Sequence, residues 1–221
     1  MADKNLDTAD RRAIKVRGVG RGMFPFIPKR AYFEPEAFDY PTGNRIFRIL
    51  QEMGTEIKKT GSHNRVTGIP GDSPRESFKE AKRTMVVGVR KTLDFQTCKP
   101  SAHFQLPLVT SCPGMCEYCY LQTTLGKKPY IRVYVNIDEI LGQAERYITS
   151  RLPEETIFEG AATSDPLPVE PFTGALGRAI EFFGAQDMGR FRFVTKFTNV
   201  EPLLNLNHRG RTTIRFSINT P

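Results

Sequence analysis

Long apolar runs are missing from this chain of 221 residues. A helix that crosses a bilayer needs about 20 consecutive apolar residues; no stretch approaches that, and mean hydropathy is −0.39. The opening MADKNLDTADRRAIKVRG is polar and has no apolar core of a secretory signal. Cysteine is scarce: of four copies, three fall within the eight residues 112–119, which points to a metal site over a disulfide framework. No helix-turn-helix or zinc-finger pattern is visible, and the first half has no internal repeat and no low-complexity tract. The expectation is a cytosolic protein whose thiols stay reduced. With 39% hydrophobic residues and 16 Phe the chain can build a core, so wholesale disorder is excluded too.

Charge is present but uneven. Residues 1–100 carry 20 Lys and Arg against 12 Asp and Glu, and residues 101–221 carry 12 of each, so the whole net charge of +8 lies in the first hundred. Arg11, Arg12, Lys15, Arg17, Arg21, Lys29 and Arg30 are the densest part. Two readings stand: a solvated basic surface, or an electrostatic footprint for a polyanion such as nucleic acid.

Three stretches divide the chain. Residues 1–23 read as a basic, flexible tail and 24–100 as a basic N-terminal region broken by Pro and Gly, with a helix over 44–53 and a short buried strand or core piece over 85–89. Residues 101–221 alternate: strands over 104–110, 156–162, 191–195 and 212–218, helices over 137–148 and 172–183, and a short helix or turn over 200–206. Strand–helix alternation predicts right-handed βαβ units, an α/β fold with a partial parallel barrel of four strands. A four-stranded sheet with an unfinished flank reads as the front part of a longer protein. Ligands bind at the carboxyl ends of such strands, where Ser111, Cys112, Thr163, Ser164, Asp165, Lys196, Ser217 and Asn219 stand.

The cysteine loop SCPGMCEYCYLQ spaces its thiols as Cys112-x3-Cys116-x2-Cys119. Three thiolates from one loop can hold three irons of a [4Fe–4S] cluster and leave the fourth open to an amine and a carboxylate. A zinc site completed by His103 or Cys98 is the competing reading, although zinc modules usually show a second ligand pair.

That spacing, with an aromatic residue before the third cysteine, resembles the radical S-adenosylmethionine superfamily. The longer texts FIPKRAYFEPEA, SHNRVTGIPG, KPSAHFQLPLVTSCPGMCEYCYLQTTLGKKPYIRVYVN, RFRFVTKF and RFSIN resemble the spore photoproduct lyase family, from about residue 24 to 221. The resemblance implies the first four strands of a partial (βα)6 barrel of radical S-adenosylmethionine type. It also implies a DNA-repair lyase that reverses a UV-induced thymine dimer through a 5′-deoxyadenosyl radical, with a [4Fe–4S] cluster and S-adenosylmethionine as cofactors. UV-damaged DNA and an electron donor such as flavodoxin or ferredoxin would be its partners. No membrane would be involved, and the place would be the cytoplasm, or the spore core of a spore former.

By motif, the resemblance assigns Cys112, Cys116 and Cys119 to the cluster, Tyr118 to the adenosine part of the cofactor, and Ser164, Lys196 and Ser217 to polar contacts with S-adenosylmethionine. Asn219 is a further candidate, and Tyr120 matches a tyrosine that relays a hydrogen atom. One position departs. Where the family's segment has a cysteine that returns hydrogen to the product, this chain has Ala162. A substitute donor (Cys98, Tyr118, Tyr120 or an external reductant), a different radical reaction, or an altered position would each account for it. A zinc-stabilised nucleic-acid-binding module without catalysis is the third functional reading, beside lesion repair and a homologue with another substrate. The incomplete barrel predicts weak or absent turnover by residues 1–221 alone.

Overall fold

The structure, a computed structural model, describes residues 24–117, 119, 125–126, 129–160 and 162–218. The expected tail, Tyr118, Tyr120 and Asn219 lie outside them. Two five-stranded sheets share the chain. The first holds β1 (Arg30–Phe33), β2 (Glu56–Lys59), β3 (Thr84–Gly88), β6 (Val109–Thr110) and β7 (Ile131–Tyr134) in the order β2-β1-β3-β7-β6. Only β6 runs antiparallel to its neighbour. The second holds β4 (Thr97–Cys98), β5 (Ala102–Gln105), β8 (Thr156–Glu159), β9 (Gly189–Thr195) and β10 (Thr212–Phe216) in the order β10-β9-β8-β5-β4. There the four strands from β5 to β10 are parallel and only β4 is reversed.

This is the expected α/β array of four parallel strands, with one correction. The stretch 104–110, read as one strand, is two pieces in different sheets. Pro107 has no N–H to give a ladder, and Leu108 N–H bonds back to the Leu106 carbonyl at 2.9 Å, a three-residue turn around the proline. The chain leaves one sheet at Gln105 and joins the other at Val109. Strand β7 was not foreseen. It pairs with β3, so residues on both sides of position 100 share a sheet.

Helices follow where apolar residues recur at helical spacing. The helix α1 (Pro41–Glu52) buries Ile46, Ile49 and Leu50. Ser73 and Glu76 close a reciprocal capping box on α2 (Pro74–Lys82), which the sequence reading missed. The helix α3 (Ile137–Ser150) lays Ile137, Ile140, Leu141, Ala144 and Ile148 against the second sheet. The expected helix 172–183 is broken into α4 (Glu170–Thr173) and α5 (Ala175–Gly184) by Gly174, whose φ of 63° lies in the left-handed region. A short α6 (Glu201–Leu204) precedes β10. On β9 burial alternates: Phe191 and Phe193 face the helices, where Phe191 stacks on Phe183 at 5.3 Å, while Arg192 turns inward toward Glu159 of β8. Among the described residues no helix is long and apolar enough to cross a membrane.

Glu170 gives this packing a pH dependence. Its carboxylate accepts Leu176 N–H at 2.7 Å and Gly177 N–H at 2.9 Å. Burial nevertheless outweighs these bonds and the nearby Arg45, and pushes the carboxyl from 4.5 up to about 7. Between those values the folded protein holds a proton that the unfolded chain has lost, so stability falls as pH rises. We expect the stability difference between the wild type and Glu170→Gln, from urea unfolding, to fall by about 3 kcal/mol from pH 4.5 to 7. A flat difference would show that the buried carboxyl titrates at its ordinary value.

Candidate functional site

The residue after β6 and the carboxyl ends of the parallel strands β8, β9 and β10 form one rim. It begins at Ser111, the residue after β6, fully buried with a φ of 68°. A non-glycine residue is costly in that conformation, and two bonds hold it: its N–H to the Thr163 carbonyl at 3.1 Å, within a parallel bridge to Ser164, and its hydroxyl to the Pro129 carbonyl at 2.8 Å. This turn aims the chain into the cysteine loop and ties the end of β6 to the segment after β8, so the two sheets meet beside Cys112.

Asp165 carries the rim onward. It is buried, and its Oδ2 accepts the Thr195 hydroxyl at 2.9 Å and the Lys196 N–H at 3.0 Å, while Oδ1 accepts Leu167 N–H at 3.2 Å. Burial raises its carboxyl above the usual range despite these donors. Lys196, just past β9, donates from Nζ to the Ser217 hydroxyl at 3.0 Å, and Ser217 N–H bonds the Thr195 carbonyl at 2.9 Å. The structure thus brings Cys112, Ser164, Lys196 and Ser217 onto one edge. Ser164 is buried in the bridge, whereas Lys196 and Ser217 are exposed.

In the loop, Gly114 N–H donates to Cys112 Sγ at 3.2 Å. A Cβ at Gly114 would lie 3.3 Å from Cys112 Sγ and 3.8 Å from Cys116 Sγ, so the glycine makes room for two thiols on one turn. Cys119 N–H bonds the Cys116 carbonyl at 3.2 Å. Burial, then the Asp165 charge, pushes the Cys112 thiol up to about 12; such a thiol ionises when a metal takes the proton's place. Among the described residues no three Cys, His, Asp or Glu side chains converge on a point fit for one metal ion. Three soft donors on one exposed-to-intermediate loop, with a glycine between the first two, fit a cluster that each thiolate meets at a different iron.

The zinc alternative loses one of its proposed fourth ligands. His103 Nδ1 accepts Ile157 N–H at 2.9 Å across the second sheet, and burial lowers its basicity. Cys98, the other, sits on β4 with its Sγ 3.5 Å from the Ser101 hydroxyl.

Behind the rim, between the two sheets, lies a cavity of about 340 Å³ whose lining includes Gln105, Tyr134, Glu159, Ala162 and Ser164. Tyr134 is fixed by a hydrogen bond between its hydroxyl and that of Thr110 at 2.9 Å and by the Arg90 guanidinium over its ring. Glu159 is buried and ion-paired with Arg192 and Arg215. Asp165 as organiser of the rim was missed as a site residue, although its place at a strand end was visible. Of the basic residues read as a nucleic-acid footprint, Arg30 is 4% exposed and bridges Glu80 at 2.7 Å. It holds β1 to α2 and does not face a polyanion.

A family profile described as spore photoproduct lyase matches residues 26–221. The chain is 54% identical over 198 residues to a spore photoproduct lyase of a Geobacillus species, covering 90% of this chain and 58% of that protein. It is 55% identical to the spore photoproduct lyase of Clostridium acetobutylicum, covering 87% and 57%. A solved structure of a doubly substituted spore photoproduct lyase with bound AdoMet and dinucleoside spore photoproduct superposes with a TM-score of 0.86 at 56% identity, over 88% of this chain and 57% of that one. The chain spans a little over half the length of these relatives.

Proposed function

The chain belongs to the spore photoproduct lyase family, and from that we propose that it is the cofactor-binding part of a radical S-adenosylmethionine lyase that reverses a thymine photoproduct in DNA. The observation that carries this reading is the junction at Ser111 and Ser164, which sets the three-cysteine loop beside a rim bearing Asp165, Lys196 and Ser217. Cys112, Cys116 and Cys119 would hold a [4Fe–4S] cluster, which when bound would supply the electron for reductive cleavage of S-adenosylmethionine. The exposed Lys196 offers its ammonium to the carboxylate of the methionine part, and Ser217 offers a hydroxyl beside it. Asp165 holds the Lys196 backbone, so the cation starts from a fixed point. Tyr118 against adenosine, Tyr120 in hydrogen relay and Asn219 on the rim complete the proposed set.

The cavity behind the rim is the proposed place of the lesion. A damaged base that leaves the stack costs less to extrude than a paired one, and non-specific phosphate contacts from the basic first hundred residues would hold the duplex. A flavodoxin or ferredoxin is the proposed electron source. Ala162 on the cavity wall favours a second reading, a homologue with another substrate, since a methyl group has no weak S–H bond to give. Within the repair reading, hydrogen returns from another group, for which Cys98, Tyr118, Tyr120 and an external reductant are the candidates.

Reduced protein incubated with S-adenosylmethionine and UV-damaged spore-type DNA tests the choice. Repair predicts that 5′-deoxyadenosine forms while the lesion declines, slowly for residues 1–221. Formation of 5′-deoxyadenosine with no loss of lesion, in this chain and in a longer form carrying the rest of the barrel, would establish the second reading.

A further inference from the structure

Two Lys or Arg residues among those described are fully buried, Arg30 and Lys82. Arg30 is matched by Glu80 and Glu56. Lys82, at the end of α2 and 3% exposed, is not: among the described residues no carboxylate oxygen forms an ion pair with it. Its Nζ donates to the Cys112 carbonyl at 2.7 Å and lies 5.5 Å from the centre of the Phe78 ring. Burial disfavours its charge, and the groups near enough to offset that, once ionised, are the thiols of Cys112, Cys119 and Cys116.

Burying an ammonium with no counter-charge is costly. The arrangement makes physical sense once the loop carries negative charge, as three thiolates on a metal cluster do. Net charge, hydrogen bonding and solvent exposure set the potential of such a cluster, and a fixed cation at low dielectric acts strongly on an added electron.

We propose that Lys82 is a positioning residue for the cysteine loop: through the Cys112 carbonyl it fixes the first ligand, and its charge raises the reduction potential of the bound cluster. The inference rests on the cluster assignment made under the proposed function. No part of the sequence motif contains Lys82; α2 delivers it to the loop from 30 residues upstream.

The test uses the full chain reconstituted anaerobically with iron and sulfide, as wild type, Lys82→Arg, Lys82→Gln and Lys82→Met. Iron and sulfide per chain and the cluster midpoint potential, followed by electron paramagnetic resonance, are the readouts. Lys82→Arg is expected to match the wild type. At a fixed potential, Lys82→Gln and Lys82→Met are expected to lower the reduced-to-oxidised ratio about tenfold, which is 59 mV for a one-electron couple. Gln can still donate to the Cys112 carbonyl, so its shift isolates the charge. Loss of iron from both neutral variants but not from Lys82→Arg, with unchanged circular dichroism, also supports the proposal. Equal potentials in all four proteins overturn it, as does failure of Lys82→Arg to load the cluster. A wild-type chain that takes up no cluster is a different failure: the cofactor assignment itself falls, and this inference with it.

Discussion

Alanine at any one of Cys112, Cys116 or Cys119 is expected to leave the reconstituted protein with about one tenth or less of the wild-type iron and sulfide and without its brown colour. Each thiolate is the single protein ligand of one iron in this assignment, so no neighbour can compensate. Two candidate substitutes are placed elsewhere: His103 Nδ1 is engaged by Ile157 N–H, and Cys98 lies on β4 beside Ser101. Cys98→Ala is therefore expected to keep its cluster and serves as the control. Folding should survive all four changes, because none of the cysteines belongs to the three hydrophobic clusters that form the core. Melting curves of the cluster-free proteins check that. Full iron and sulfide in any of the three loop variants, or one zinc and no sulfide in the wild type, would end the cluster assignment.

Where local sequence periodicity decides structure, the fold was readable in advance. The apolar stripes of α1 and α3 and the strand at β9 depend on residues within a few turns of one another, and they came out as expected. The split at Pro107 did not, because leaving one sheet for another depends on which partner strand each half finds. Strand β2 was hidden for a related reason: it is EIKK, with three of its four residues exposed. An edge strand held by backbone pairing alone leaves no hydrophobic pattern to read.

The site divides along the same line. Lys196 and Ser217 were placed by strand ends together with the family resemblance, and the structure joins them at 3.0 Å. Lys82 and the role of Asp165 depend on burial and on partners about 30 residues away in the chain, which no local pattern encodes. Arg30 is the converse case. Counted by charge it belonged to a basic surface, yet Glu80 draws it inside, so net charge assigned it to the wrong partner.

Asp165→Ala should be the most damaging single change outside the cysteine loop. It strips the acceptor from the Thr195 hydroxyl and from the Lys196 and Leu167 N–H groups. Each buried donor left without a partner costs about 1–3 kcal/mol, so a loss of about 3 kcal/mol or more is expected in urea unfolding. The same change frees the backbone at Lys196, from which the ammonium reaches Ser217. Affinity for S-adenosylmethionine, by calorimetry on the cluster-loaded protein, is therefore expected to fall about tenfold or more. Asp165→Asn keeps one acceptor oxygen and should lose less on both counts. Lys196→Ala separates the two effects: the exposed side chain can go with little change in stability, while the affinity falls as in Asp165→Ala. If Asp165→Ala unfolds like the wild type and binds the cofactor equally well, the rim is not organised by this carboxylate. If it is destabilised but binds normally, Asp165 serves the fold alone and Lys196 is positioned by something else.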